Sequence, residues 1–301
     1  MMAWTRRDWL YGAGMGAAGL AMTPRLLVSR LFAVEPRVTI SPLNKLTDEQ
    51  EIALGRKFAA QIESEAEIVS NPVIEHYLKS MVDALAAQSQ RPNLPCSIKL
   101  INSHEPNAFS IPGGFVYLNR GMVELIAEED ELAATLGHEI GHVVARHVVN
   151  KLLVTFEARA LLKPVLDNLN KKNGVVDRII RKLGGAFAML AMLHFSREDE
   201  AQADLLGFYE VLRAGWDPHG FLELFDQLTQ FEKKLGGAPI RFLSDHPPTR
   251  QRSEAIRHEL KQVKIEPNAR KDSVAFKVFK STMGLLPEPA RKTAAGGGAR
   301  Q

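Results

Sequence analysis

The segment His-Glu-Ile-Gly-His at residues 138–142 limits most strongly what this chain can fold into. It lies inside residues 128–153, whose apolar positions recur with a helical period and predict one long helix. Two histidines four residues apart, His138 and His142, share one face of such a helix and can hold a single ion between them. The apolar stripe covers the opposite face, so neither histidine is expected to be an ordinary core residue.

Glu139 lies at the edge of this histidine face. It is too far round the helix to join the pair as a ligand, but its carboxylate can reach a water molecule beside an ion bound there. Two imidazoles and one carboxylate hold Zn²⁺ and leave a fourth position for water, whose proton a nearby carboxylate accepts during attack on an amide carbon. The motif also arises by chance in unrelated chains, so this prediction needs a third ligand.

An acidic segment further along the chain offers that third ligand. Ser196 begins another predicted helix, with Asp199 as its partner in a capping box. Glu200 and Asp204 are four residues apart on one face of this helix, and Ala203 on the same face is small enough to allow a close approach. Glu200 is predicted to complete the set of two histidines and one glutamate, and Asp204 to accept a ring N–H from one histidine.

The composition excludes several other classes of protein. Cys96 is the only cysteine, so an intramolecular disulfide and a cysteine-based metal site are ruled out. The net charge of +3 is modest and no basic stripe with interleaved aromatic residues occurs, so we expect no nucleic-acid partner. Beyond the N-terminal segment, no apolar run reaches the roughly 18–20 residues of a membrane-spanning helix.

Residues 1–34 look like a twin-arginine export signal and leader. The pair Arg6-Arg7 is followed by a Gly/Ala-rich, weakly apolar stretch. This pattern predicts export to a bacterial periplasm. No clean Ala-x-Ala cleavage site is present, so the segment is expected either to be removed or to remain as a membrane anchor.

The rest of the pattern predicts an α+β fold that is mostly helical. Residues 97–102, 108–111 and 115–118 favour short strands, so the sheet is expected to be small, and helices are predicted before and after them. We assign residues 35–263 to one domain and residues 264–301 to a partly disordered tail.

Four segments together resemble a known family. They are similar to motifs of the zinc metallopeptidases that include the CAAX prenyl proteases and the HtpX heat-shock proteases, and they occur in the same order along the chain. The resemblance runs from about residue 46 to residue 260 and implies a zincin fold of the gluzincin kind, with a small sheet beside the metal-binding helix. The segments are His-Glu-Ile-Gly-His at 138–142, Glu-Ala-Gln-Ala-Asp at 200–204, Asn-Ala-Phe-Ser-Ile-Pro-Gly-Gly at 107–114 and His-Pro-Pro-Thr-Arg-Gln-Arg at 246–252.

The resemblance also implies roles for individual residues. His138, His142 and Glu200 correspond to the ligands of one Zn²⁺ ion per chain, and Glu139 to the general base. The chain departs from the membrane-embedded members because it has no internal spanning helices. It is therefore closer to the soluble periplasmic branch of BepA- and LoiP-like proteins.

Other residues of the four segments have more than one interpretation. Asn107 and Ala108 begin a strand that either receives an extended substrate by strand addition or belongs to an ordinary hairpin. His246 either stabilises the oxyanion or fills the open zinc position at rest, unless it is a simple loop histidine. Arg252 is expected to hold that loop or to assist the same oxyanion, or else to be a surface residue. His147 falls in the apolar stripe and is expected to be structural.

We therefore predict an exported, zinc-dependent metalloendopeptidase that hydrolyses misfolded or envelope proteins. Its partners are protein or peptide substrates, with contact between residues 154–194 and a membrane surface as an alternative to plain packing. Two rival hypotheses remain. One is a chaperone-like, normally closed binding protein of the cell envelope that keeps a protease fold, and the other is a structural helical protein with a fortuitous motif.

Overall fold

The computed structural model describes residues 46–155, 168, 185, 195–237, 240–247 and 250–289. The predicted export segment and most of the connection at residues 154–194 lie outside the described residues, so those two predictions stay predictions. The described part is mostly helical with a small three-stranded sheet, which confirms the predicted class at that level. Within it, no helix has both the length and the apolar character needed to cross a membrane.

Two helices begin the fold, and each starts at a residue that caps it. Helix α1 (Asp48–Glu65) begins after Thr47, whose side chain and that of Gln50 form a reciprocal capping box. Helix α2 (Pro72–Ala86) begins after Asn71, whose side-chain oxygen accepts from two backbone N–H groups of the first turn. Both helices turn apolar side chains inward. Both were predicted, the first from residues 47–50 and its periodicity, the second from Pro72 and its periodicity.

The sheet has the strand order β1-β3-β2, from β1 (Ser97–Ile101), β2 (Ala108–Ile111) and β3 (Phe115–Asn119). Strands β2 and β3 form an antiparallel hairpin, and β1 pairs with β3 in parallel. The hairpin turn needs glycine, because Gly113 and Gly114 have φ angles of 81° and 88°. Strand β2 is therefore an edge strand of the described sheet, beside the helix that carries the histidine pair.

The predicted long helix over residues 128–153 is wrong, because the chain breaks it in two. After the short helix α3 (Arg120–Leu125), helix α4 (Glu129–Val144) ends at Ala145, and a separate helix α5 (His147–Thr155) follows. Arg146 between them has a φ of 59°, which no α-helix accommodates.

Ion pairs hold Arg146 in this conformation. Its Nε lies 3.0 Å from a carboxylate oxygen of Glu51, and its Nη1 donates to the carbonyl oxygen of Leu46 at 2.9 Å. The remaining guanidinium nitrogen, Nη2, pairs with a carboxylate oxygen of Asp48. The break is thus set by contacts with the start of α1 rather than by a glycine or proline.

Helix α4 is buried on every side, including its histidine face. Helix α6 (Arg197–Ala214) covers that face at very short range, because both helices have small residues where they cross. A Cβ atom built on Gly141 would lie 2.5 Å from the carbonyl oxygen of Ala203, and one on Gly207 would lie 2.5 Å from the carbonyl carbon of Gly137. The remaining helices are α7 (Gly220–Lys234), α8 (Arg241–Asp245), α9 (Arg250–Gln262) and α10 (Val274–Met283).

The folded unit continues past residue 263, where the sequence placed the start of a tail. Helix α10 packs on α2, and its buried side chains belong to the main core. The ring of Phe279 stacks on that of Tyr77 with centroids 4.5 Å apart. The domain boundary predicted at residue 263 is therefore corrected to a position beyond Met283.

Candidate metal centre

Four buried side chains converge between α4, α6 and the segment that follows α8. His138, His142, Glu200 and His246 each present one donor atom, and these atoms lie within 4.8 Å of one another. The Nε2 atoms of His138 and His142 are 3.0 Å apart. The Nδ1 atom of His246 lies 3.2 Å from the Nε2 of His138 and 2.9 Å from the Oε1 of Glu200. Ligands about 2.0–2.1 Å from a tetrahedral zinc ion are roughly 3.3 Å apart, so this donor set fits one such ion.

The carboxylate of Glu139 lies beside these donors. Its Oε1 is buried and has no hydrogen-bond partner among the described residues. The Nε2 of His246 lies 3.6 Å from this oxygen. A buried carboxylate oxygen left without a donor is costly, and its position next to an ion-sized group of ligands is a second observation that fits a metal centre.

The protonation states also suit metal binding. Burial holds the pKa of His142 well below its usual value, so its imidazole is neutral and has a lone pair to donate. Burial alone would raise the pKa of Glu200, but the charge of His246 and hydrogen bonds from His142 and His246 lower it below the usual range. Metal ligands must be deprotonated, and these two residues are.

Asp204 fixes the ring of His138. Its Oδ1 lies 2.8 Å from the Nδ1 of His138, which places the ring proton on Nδ1 and leaves Nε2 free to donate its lone pair to a metal. Arg252 binds the same carboxylate with two hydrogen bonds of 2.6 Å. Although burial opposes it, this ion pair lowers the pKa of Asp204, so the carboxylate stays charged. Asp204 therefore lies where the sequence placed it, behind the ligand set.

Arg252 also holds the loop that contains His246. Its side chain is only 4% exposed, so the surface interpretation of this residue is wrong. Its Nη1 donates to the carbonyl oxygens of His246 and Pro247 at 3.1 and 3.2 Å. Of the roles expected from the sequence, holding the loop is the one that these contacts support.

His147 is a site residue that sequence reasoning missed. The prediction placed it in the apolar stripe, but the helix break at Arg146 turns its ring back toward the ligands. Its Nδ1 lies 2.9 Å from the Nδ1 of His142, and its Nε2 lies 3.0 Å from the Oε1 of Gln202. With the Nε2 of His142 facing the donor group, His142 donates from Nδ1 to His147, and His147 donates from Nε2 to Gln202. No glycine or proline in this stretch signals the break.

Phe195 is a second residue that the sequence did not single out. Its ring stacks on that of His246, with centroids 5.5 Å apart and an interplanar angle of 19°. It also lies 4.4 Å from the ring of His142. The only signal was its place one residue before the helix cap at Ser196.

A cleft of about 560 Å³ opens onto Glu139 and His246. Asn107 and other residues of the β2 edge line one side of it, and Phe195 and Arg241 are also part of its lining. The side chain of Ala108 is fully buried in the sheet and does not line the cleft. The structure thus brings the predicted ligands together with Asp204 and Arg252. Of this group, Glu139 and His246 line the cleft.

Comparison with known proteins agrees with this geometry. The model of peptidase family M48 matches residues 72–260 of the 301. The chain is 25% identical over 246 residues to the beta-barrel assembly-enhancing protease of Yersinia pestis, covering 80% of this chain and 50% of that protein. It is 28% identical over 190 residues to the mitochondrial metalloendopeptidase OMA1 of Schizosaccharomyces pombe, covering 63% of this chain and 54% of that protein. The chain spans about half the length of these curated relatives.

Proposed function

This chain belongs to peptidase family M48, and on that premise we propose that it is a zinc-dependent metalloendopeptidase. The main support for this proposal is the group of four buried donor atoms, with the Oε1 of Glu139, which has no hydrogen-bond partner among the described residues, beside it. Two relatives are named as a protease and a metalloendopeptidase, which supports the same activity. The arrangement of α4, α6 and the β2 edge supports the finer assignment to a gluzincin-like zincin fold.

In the proposed mechanism, His138, His142 and Glu200 would hold one Zn²⁺ ion. A zinc ion in such a site lowers the pKa of water toward about 7 and polarises a carbonyl group. Glu139 accepts the proton from the attacking water at Oε1 and returns it to the leaving amine. Asp204 and His147 keep the imidazoles of His138 and His142 in the tautomer that has its proton on Nδ1 and a free lone pair on Nε2.

His246 has two successive roles in this proposal. In the present conformation its Nδ1 lies 2.9 Å from the Oε1 of Glu200 and 3.2 Å from the Nε2 of His138, where it would be a fourth donor to the ion once it has lost its proton. That arrangement is the resting, closed one, and opening requires the loop held by Arg252 to withdraw the imidazole. Once withdrawn, the ring lies near the substrate carbonyl and stabilises the oxyanion.

The substrate is an extended stretch of protein. Strand β2 is an edge of the described sheet and borders the cleft, so an unfolded segment can add to it as a further strand, starting beside Asn107. We propose misfolded or envelope proteins as the natural class, in the periplasm. The export-like residues 1–34 and the name of the Yersinia pestis relative support this.

The amount of zinc bound per chain by the Glu200→Gln variant tests the proposed ligand set. We expect about one zinc per chain in the wild type and a marked loss in the variant, because the amide is a much poorer ligand. Glu198→Gln is the matched control, since Glu198 is exposed in the same first turn of α6 and should keep its zinc. Unchanged zinc occupancy in Glu200→Gln would show that the third ligand is wrong.

A chaperone-like binding protein is the second candidate, because His246 lies among the donor atoms and would block the position that water needs. The discriminating assay is cleavage of unfolded casein by wild type and by His246→Ala. Cleavage by either protein supports the endopeptidase. Zinc bound in both proteins with no cleavage by either would favour the closed binding protein.

A further inference from the structure

Three carboxylates meet at the N-terminal end of α4, away from the candidate metal centre. Glu128 precedes the helix, Asp130 lies in its first turn, and Glu223 comes from α7. One oxygen of each lies within 4.8 Å of the others. Asp130 is eight residues from His138, which is about 12 Å along a helix axis. The two groups of acidic side chains are therefore separate.

Asp130 is the unusual member of this group. Its side chain is 0% exposed, and neither carboxylate oxygen has a hydrogen-bond partner among the described residues. Buried polar groups in folded proteins are almost always satisfied, so an orphaned carboxylate aimed at two others needs an explanation. A bound cation provides one.

The electrostatics agree with this reading. Burial raises the pKa of Asp130 to about 8, and the neighbouring Glu223, Glu128 and Asp217 contribute in the same direction. Without a cation, Asp130 therefore holds a proton at neutral pH. A positive ion between the carboxylates would remove this penalty and allow all of them to be charged.

We propose that Glu128, Asp130 and Glu223 form a second cation site, which binds Ca²⁺. All of the available ligand atoms are carboxylate oxygens, the class that hard cations select. Two ligands on opposite sides of Ca²⁺ are roughly 4.6–5.2 Å apart at Ca–O distances of about 2.3–2.6 Å, so the spacing of this group fits inside one shell. Glu128 is exposed, and water completes the shell on that side. Mg²⁺ fits less well because it demands near-ideal octahedral geometry.

Lys271 does not take the place of this cation. Its Nζ donates to the Oε1 of Glu223 at 2.9 Å and lies 3.8 Å from Asp217, but it makes no ion pair with Asp130 among the described contacts. This one ammonium group lies among four carboxyl groups, those of the three proposed ligands and of Asp217. The lysine side chain is about half exposed, so it can turn outward as an ion enters.

Such an ion would join the loop before α4 and the first turn of α4 to α7. It would stabilise the end of the helix opposite to the histidine pair without touching the zinc ligands. Its effect should therefore be seen in thermal stability and in calcium binding, whether or not the protein cleaves peptides.

The test uses the full chain loaded with zinc, in buffer free of calcium and of chelators. Calcium is added to 1 mM at constant ionic strength, with Tm followed by calorimetry and binding by titration calorimetry. We expect one calcium site and a Tm increase of several degrees. Asp130→Asn and Glu223→Gln should lose both, and Glu266→Gln, an exposed carboxylate elsewhere, should behave as wild type.

Glu223→Gln keeps the test decisive if Asp130→Asn fails to fold, because Glu223 is only partly buried. An equal calcium response in Glu223→Gln and wild type would overturn the site, and so would the absence of any response in wild type. An equal Tm increase with Mg²⁺ would overturn the assignment to calcium. None of these results bears on the zinc ligands, so the proposed function is tested separately.

Discussion

His142 has a fixed ring orientation because both of its nitrogens have partners. Its Nε2 faces the donor group, and its Nδ1 faces His147, which in turn reaches Gln202. This short chain of hydrogen bonds fixes the tautomer of His142 just as Asp204 fixes that of His138. Each candidate imidazole ligand therefore has one buried partner that orients it, which is typical of metal-binding histidines.

His147→Ala should lower zinc affinity by about 10–100-fold, the usual effect of losing a residue that orients a ligand. Competition with a chromophoric zinc chelator measures this on protein shown to be folded. His147→Asn should recover part of the affinity, since its amide oxygen can accept from the Nδ1 of His142. His258→Ala is the control, because His258 is exposed on α9. Wild-type affinity in His147→Ala would contradict the orienting role.

At the scale of elements, the site depends on how closely α4 and α6 approach. Gly137 and Gly141 on α4 meet Gly207 and Ala203 on α6, with no room for added side-chain atoms at the glycines. This contact sets the distance between the histidine pair on one helix and Glu200 on the other. The short packing distance is thus part of what makes the four donors converge.

Gly207→Ala should therefore damage both stability and the metal site. Its Cβ would lie 2.5 Å from the carbonyl carbon of Gly137, so the helices must separate. Overpacking of this kind costs about 1–3 kcal/mol, or roughly 2–12 °C in Tm for a domain of this size. Zinc occupancy should fall as well, because Glu200 moves with α6. Gly284→Ala, where the nearest atom is 3.4 Å away, should leave Tm and zinc unchanged; an unaffected Gly207→Ala would refute the close-packing account.

The elements with strong local signals were predictable. The caps at Thr47, Asn71 and Ser196, the hairpin turn at Gly113 and the left-handed Gly215 at the end of α6 all act through neighbouring residues. The ligand set could also be predicted without knowledge of the fold. Two pairs of residues at i and i+4, each on one predicted helix, were enough to suggest it.

Elements set by distant contacts were not predictable from local pattern. Arg146, where the helix breaks, pairs with carboxylates nearly 100 positions earlier in the chain, and the ring of His147 just after it lies 2.9 Å from that of His142. Helix α10 was assigned to a tail because its partner, α2, lies about 200 residues away in the sequence. Tertiary contacts of this kind override propensity.

At the scale of the whole molecule, the core contains a carboxyl group that favours the protonated state. Glu210 on α6 is buried, and neither of its oxygens has a hydrogen-bond partner among the residues that the structure describes. Burial raises its pKa well above the usual value, and the charge of Arg213 offsets this only in part. Folding therefore prefers the neutral form of this group.

This preference predicts a pH-dependent stability. The unfolded chain has the ordinary glutamate pKa near 4.5, and the folded pKa is higher, so between the two values the folded state binds more protons. The contribution of Glu210 is therefore full below pH 4.5 and is lost as pH rises through the folded pKa. Glu210→Gln should gain stability over wild type as pH rises, measured by urea unfolding at several pH values. A stability difference between Glu210→Gln and wild type that stays constant across pH would contradict this.

The most direct test of the proposed endopeptidase site is Glu139→Gln. We expect this variant to keep one zinc ion per chain, because Glu139 lies beside the donors and is not one of them. Its cleavage of unfolded casein should fall by about 10²–10⁴-fold, the usual contribution of a general base. If the variant retained zinc and cleaved casein at the wild-type rate, Glu139 would not be the general base of the site.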